Sequence, residues 1–104
     1  MEKFENVTVV KKANIYYDGK VTSRTVEFAD GSVQSLGIML EGEYTFNTAE
    51  KEIMEIMSGE LEVRLPNEDF KTLNTPETFE VPANSSFDLK IKSVTDYCCS
   101  YIKD

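Results

Sequence analysis

A chain of 104 residues has room for one domain with its own core and not for two. Hydrophobic residues at 40% and charged residues at 29% exclude a disordered chain, and no apolar run nears the about 20 residues of a membrane span. The net charge of −8 excludes the basic face that nonspecific binding to nucleic acid or anionic membranes requires, while a few placed donors can still form one small anion pocket.

The start, MEKFENVTVV, has no basic region followed by an apolar stretch, so no signal peptide is expected and a cytoplasmic protein is. VTVV (Val7–Val10) and ANIYY (Ala13–Tyr17) read as the first strands, with Asp18-Gly19 as a hairpin signal. KVTSRTVEF (Lys20–Phe28) runs into a second Asp-Gly pair at Asp30-Gly31. SVQSLGIMLEG leads to EYTFNT, and EIMEIMSG, ELEVRLP, FKTL, TFEVP, SFDLKIK and DYCCSYI follow. These are short runs rich in Val, Ile, Thr, Tyr and Phe, cut by polar, Gly or Pro breaks.

The longest helical alternative is NTAEKEIMEIMSG, where Thr48 is a possible cap and Ala49, Glu50, Lys51, Glu52 and Glu55 favour helix. Ile53, Met54, Ile56 and Met57 trace no helical stripe, and Ser58-Gly59 ends the segment before an alternating strand. Glu52–Met57 is therefore read as a strand. Met54 and Ile56 face one way with Glu52, and Ile53 and Met57 the other, so one set can fill the core and the other an isologous dimer interface. Alternation is clearest in SFDLKIK, with Phe87, Leu89 and Ile91 inward and Asp88, Lys90 and Lys92 outward. Adjacent Cys98 and Cys99 point to opposite strand faces and read as reduced thiols. The expected fold class is all-β, a sandwich or barrel, with a single domain over residues 1–104.

Part of this pattern resembles the cupins, small double-sheet jelly-roll barrels. Glu52 and Gly59 fit the glutamate–glycine spacing of the first cupin motif. Its two histidine positions fall on Phe46 and Thr48, or on Thr45 and Asn47. In the second motif Pro82 fits, Asn84 takes the glycine position, and Phe87 stands where a histidine would. The chain contains no histidine at all. Glu52 alone makes no tight transition-metal site, so neither a metal nor another cofactor is expected.

The wider string is more specific. ANIYYDGKVTSRTVEF, LGIMLEGEYTF, EIMSGELEVRLP, FEVPANSSFDL and DYCCSYI, in this order, resemble the pyrimidine/purine nucleoside phosphorylase family, small cupin-fold enzymes earlier classed as a domain of unknown function. The resemblance spans roughly Asn6 to Ile102 and is most specific in Gly42–Phe46 and Val81–Phe87. It implies a cupin-like jelly roll and a pentosyltransferase of nucleoside salvage, in which a nucleoside and inorganic phosphate give a free base and pentose 1-phosphate. It also implies breadth across purines and pyrimidines, and a homodimer.

Phosphorolysis builds positive charge on the sugar and negative charge on the departing base, beside an anionic nucleophile. For phosphate, the sequence offers Arg24 and Lys20, with hydroxyl help from Ser23 and Thr25. The competing role for both cations is a solvated strand charge. Tyr44, Phe46 and Thr48 share one strand face, where sugar or base would sit. Glu52 and Tyr44 are the catalytic candidates, Glu52 bonding ribose hydroxyls or supporting an oxocarbenium-like transition state. For Tyr44 and Phe46 the competing role is core. In ANSS, the Ser85 hydroxyl and backbone N–H groups offer an anion nest, and a plain tight turn is the alternative. Tyr97 is a further substrate-binding candidate, sharing a face with Cys99, whose expected role is packing. The rival to the enzyme is a noncatalytic, metal-free cupin binding a sugar-like or nucleoside ligand. Convergence of Arg24 or Lys20 with Glu52 and Tyr44 separates the two.

Overall fold

The computed structural model describes residues 2–103, and among them the short alternating runs become eleven strands. In chain order they are β1 (Thr8–Val9), β2 (Asn14–Tyr16), β3 (Val21–Glu27), β4 (Val33–Met39), β5 (Gly42–Asn47), β6 (Lys51–Ser58), β7 (Leu61–Arg64), β8 (Lys71–Thr72), β9 (Glu77–Val81), β10 (Ser86–Ile91) and β11 (Thr95–Ile102). The larger sheet runs β1-β3-β4-β11-β6-β9, with β2 also on β3, and the smaller runs β5-β10-β7-β8. Each sheet has one apolar face, and the two faces bury each other as a double-sheet sandwich. The sheets are hydrogen-bonded separately, so the jelly roll is two layers rather than a closed barrel.

Segment 51–58 is a strand because it is held from both sides: Met54 pairs with Cys99 on β11 and with Phe79 on β9. Its inward residues Met54 and Ile56 are buried, and Met57 lies exposed on the far side. Phe87, Leu89 and Ile91 are buried in phase along β10. Each such side chain stabilises the fold by roughly 1.5–3 kcal/mol relative to exposure.

The turns follow their residues. Asp18-Gly19 does not form a two-residue hairpin. Tyr17–Gly19 is a 3-10 turn with φ of 51°, 56° and 91°, and it joins β2 to β3 where Tyr16 pairs with Val21. The Tyr17 hydroxyl lies on the outer edge of β5, donating to the Thr45 carbonyl at 2.5 Å and accepting from the Thr45 N–H at 3.0 Å. The two cupin-like glycine positions are both left-handed. Asn84 has φ 54°, which Asn tolerates. Gly59 has φ 118°, and a Cβ there would stand 2.8 Å from Thr95 Cα.

Candidate functional site

A cavity of about 310 Å³ opens between the two sheets. One wall is aromatic. Phe46 of β5 and Phe87 of β10 face it with ring centroids 6.0 Å apart, and Tyr16 meets Phe46 edge-on, also at 6.0 Å. Met39 and Met54 close the apolar part. The opposite wall is polar: Ser23 of β3, Tyr97, Cys99 and Tyr101 of β11, Glu50 just before β6 and Glu52 near its start. Tyr16, Asn47 and Ala49 are exposed and mark the mouth.

Register builds the polar wall. Tyr97, Cys99 and Tyr101 alternate onto one face of β11, and Tyr101 pairs directly with Glu52 on β6. The Cys99 thiol lies 3.5 Å from Glu52 Oε1. Half-burial pushes the Glu52 carboxyl above its ordinary value; the Cys99 thiol partly opposes this and the negative charge of Glu50 adds to it. Burial likewise pushes up Tyr97, Tyr101 and Cys99, so all three are neutral donors near pH 7. On the outer face of the sheet, the Cys98 thiol is pushed up to about 12, first by burial. Tyr101 meets Ser35 Oγ at 3.1 Å, while the Tyr97 hydroxyl stands beside Ser23 and reaches the Thr22 carbonyl only at 3.4 Å. Glu50 Oε2 is buried and has no hydrogen-bond partner among the described residues.

Of the residues expected from sequence, Glu52, Phe46 and Tyr97 meet in this cavity. Tyr44 lies outside the lining. It is buried, donates its hydroxyl to the Leu40 carbonyl at 2.7 Å and supports the aromatic wall from behind, its ring 6.4 Å from Phe46. Thr48 ties two turns together instead, donating to the Pro82 carbonyl at 2.6 Å and accepting from the Ser85 N–H at 3.0 Å. Ser85 Oγ donates to the Ala83 carbonyl at 3.1 Å and Ser85 N–H to Thr48, so both donors of Ser85 are engaged within the protein. Arg24 and Lys20 are not brought to the cavity. Arg24 is out of phase with inward Ser23, is exposed, and donates from Nη1 to the Lys11 carbonyl at 2.6 Å. Lys20 is exposed beside the 3-10 turn, with its carbonyl accepting from Leu40 N–H at 2.8 Å.

Sequence reasoning missed Tyr101, Glu50, Asn47 and Tyr16, and read Ser23 only as a flank of Arg24. Tyr101 was reachable, since it continues the Tyr97–Cys99 face. Asn47 and Tyr16 end their strands and Glu50 lies in the link before β6, where alternation carries no information.

Comparison with known proteins fits this geometry. The family profile described as pyrimidine/purine nucleoside phosphorylase matches residues 11–101, which include every cavity residue from Tyr16 to Tyr101. A protein of Sulfurimonas denitrificans named pyrimidine/purine nucleoside phosphorylase is 82% identical over 103 residues, covering 99% of this chain and 100% of that one. A crystal structure from Acinetobacter sp. ADP1, described as a DUF1255 protein of unknown function, superposes with TM-score 0.91 at 38% identity, covering 96% of this chain and 98% of that one. A cupin-2 domain protein of Shewanella frigidimarina shares the fold alone, with TM-score 0.64 at 18% identity over 78% of this chain and 79% of that one. The chain belongs to the pyrimidine/purine nucleoside phosphorylase family, on a cupin fold.

Proposed function

We propose that the protein is a nucleoside phosphorylase, transferring the pentosyl group of purine and pyrimidine nucleosides to inorganic phosphate. Family membership supports the reaction class. The observation that carries the reading is one cavity combining flat aromatic surface, from Phe46 and Phe87, with a half-buried carboxyl, Glu52, and hydroxyl donors at Ser23, Tyr97 and Tyr101. At about 310 Å³ it lies at the lower end of small-molecule sites and suits a single nucleoside.

In the reaction the C1′–N bond breaks with its electron pair leaving on the base, and a phosphate oxygen bonds C1′. The hydrogen phosphate dianion loses its proton and the base nitrogen gains one. Glu52, whose proton affinity is raised by burial, is the group suited to relay it. Aromatic faces stack any base without reading its edges, which fits breadth. Phosphate is assigned to the Ser23 and Tyr97 hydroxyls, neutral donors of the polar wall. The reading includes nucleoside salvage in the cytoplasm and a homodimer. No helix of the described residues is long and apolar enough to cross a membrane. The outer face of the larger sheet exposes Val9 (54%), Leu36 (39%), Ile38 (38%) and Met57 (41%), a surface suited to an isologous contact.

One observation favours the noncatalytic binder: among the described residues lining the cavity there is no Lys or Arg. A panel of nucleosides assayed for base release with and without phosphate decides between them. Release only with phosphate supports the phosphorylase, release without it indicates a hydrolase, and no release from folded protein leaves the binder.

A further inference from the structure

Ser23 is 3% exposed and lines the cavity from β3. A serine hydroxyl has one proton to give and lone pairs to accept with, and it rotates to suit its neighbours. An anionic oxygen needs the giving form. No Lys or Arg lines the cavity among the described residues, so no cation there compensates for a hydroxyl turned the wrong way.

Asn14 stands opposite Ser23 in the pairing of β2 with β3 and lies outside the cavity lining. Its Nδ2 is 3.2 Å from Ser23 Oγ and 3.1 Å from Thr25 Oγ1. An amide nitrogen has two hydrogens and accepts nothing, so one hydrogen goes to each hydroxyl. Ser23 Oγ therefore receives from behind. Its own proton is left for the cavity or for the Tyr97 hydroxyl beside it. The Tyr97 proton has only the Thr22 carbonyl, at 3.4 Å. The chain of donors runs one way, from amide to serine to phenol, and ends in O–H groups facing the cavity. Bracing β2 against β3 is the structural role open to the same amide, and that role acts on stability rather than on one substrate.

We infer that Asn14 is a positioning residue for the anion: it holds the Ser23 hydroxyl turned to give its proton into the cavity, and so sets the affinity for inorganic phosphate without touching the substrate. The inference rests on the proposed phosphate position at Ser23 and Tyr97.

Two variants of similar size test it. Asn14→Asp reverses the chain, because a carboxylate only accepts and turns both hydroxyls toward itself. Asn14→Leu gives nothing to either. The readouts are inorganic phosphate titrated calorimetrically into each protein, and KM for phosphate and for uridine in base release. Asn14→Leu should weaken phosphate about 2- to 10-fold and Asn14→Asp about 10- to 100-fold, with KM for uridine within about twofold of the wild type in both. In a Ser23→Ala background the Asn14→Asp penalty should shrink to about threefold or less, since the path through Ser23 is gone. A full penalty in that background means bare charge repulsion and overturns the assignment. An Asn14→Asp protein indistinguishable from the wild type also overturns it, since the amide then presents its oxygen to Ser23. So does a parallel rise of both KM values with a fall in Tm, the mark of a purely structural role. Phosphate binding with the expected ratios but no base release keeps the role of Asn14 and removes the phosphorylase. Base release with phosphate affinity unchanged in the variants does the reverse. If the wild type neither binds phosphate nor releases base, both fall.

Discussion

Replacing Gly37 by alanine tests the architecture of the polar wall. Gly37 lies on β4 opposite Ser23 on β3 and Tyr97 on β11. A Cβ at this position would stand 2.2 Å from the Thr22 carbonyl oxygen and 2.7 Å from both Cζ and the hydroxyl of Tyr97. Real carbons do not approach that closely, so something must move. The Thr22 carbonyl belongs to the backbone of β3 and cannot swing aside like a side-chain tip. The Tyr97 ring is buried and packed. The expected cost is therefore that of overpacking a rigid site, about 1–3 kcal/mol. For a chain of this size each kcal/mol lowers Tm by roughly 4–8 °C, giving a drop of about 5–20 °C in a thermal melt. The same displacement moves the Tyr97 hydroxyl away from Ser23, so phosphate-dependent base release should fall further than in Tyr97→Phe, which loses only the hydroxyl. An unchanged Tm with wild-type base release in Gly37→Ala would refute the claim that this glycine sets the wall.

Glu52 gives the pH dependence. Burial first, and then the charge of Glu50, hold its folded-state value above the ordinary one, so folding takes up a proton. That contribution is complete below the unfolded value and is lost as pH rises through the folded one. Melts over about pH 4 to 8 should show Glu52→Gln gaining on the wild type as pH rises, and parallel curves would remove the argument. Leu89 is 1% exposed in the middle of β10, and Leu89→Ala should cost about 2–5 kcal/mol in urea unfolding; a loss under ~1 kcal/mol would mean that the two sheets pack less tightly than described. The chain has no histidine, and Phe87 stands where the second cupin motif would carry one, so a chelator should leave base release unchanged. Loss on chelation with recovery on one added metal would contradict this.

Alternation made much of this legible. It put Phe87, Leu89 and Ile91 inside, put Glu52 on the buried side of its strand with Met54 and Ile56, and gave Tyr97 and Cys99 a common face. Alternation also held the answer for Arg24, because inward Ser23 next to it requires an outward Arg24. What a period of two cannot give is which strands lie opposite one another. The meeting of Tyr101 with Glu52, and of both with Ser23, depends on pairings between strands far apart in the chain. Tyr44 shows a second limit. It lies on the predicted face, yet its hydroxyl is satisfied by the Leu40 carbonyl in the link from β4 to β5, and the period of two says nothing of a polar tip already engaged. Thr48 and Ser85 behave alike, each satisfying the other's turn.

The clasp of Tyr17 on β5 bears on how the molecule behaves in a crowded solution. β5 is the last strand of its sheet, and an unpaired strand edge invites another chain to add to it. On that edge the N–H and carbonyl of Thr45 point outward together, and the Tyr17 hydroxyl takes both, as a neighbouring strand would. Two consecutive non-glycine residues in left-handed backbone, Tyr17 and Asp18, hold the ring there. A single phenol thus stands in for a strand and ends the sheet within the molecule. Tyr16, next in the chain, stands at the mouth of the cavity, so loosening the clasp would expose a sticky edge and deform the ligand entrance in the same event.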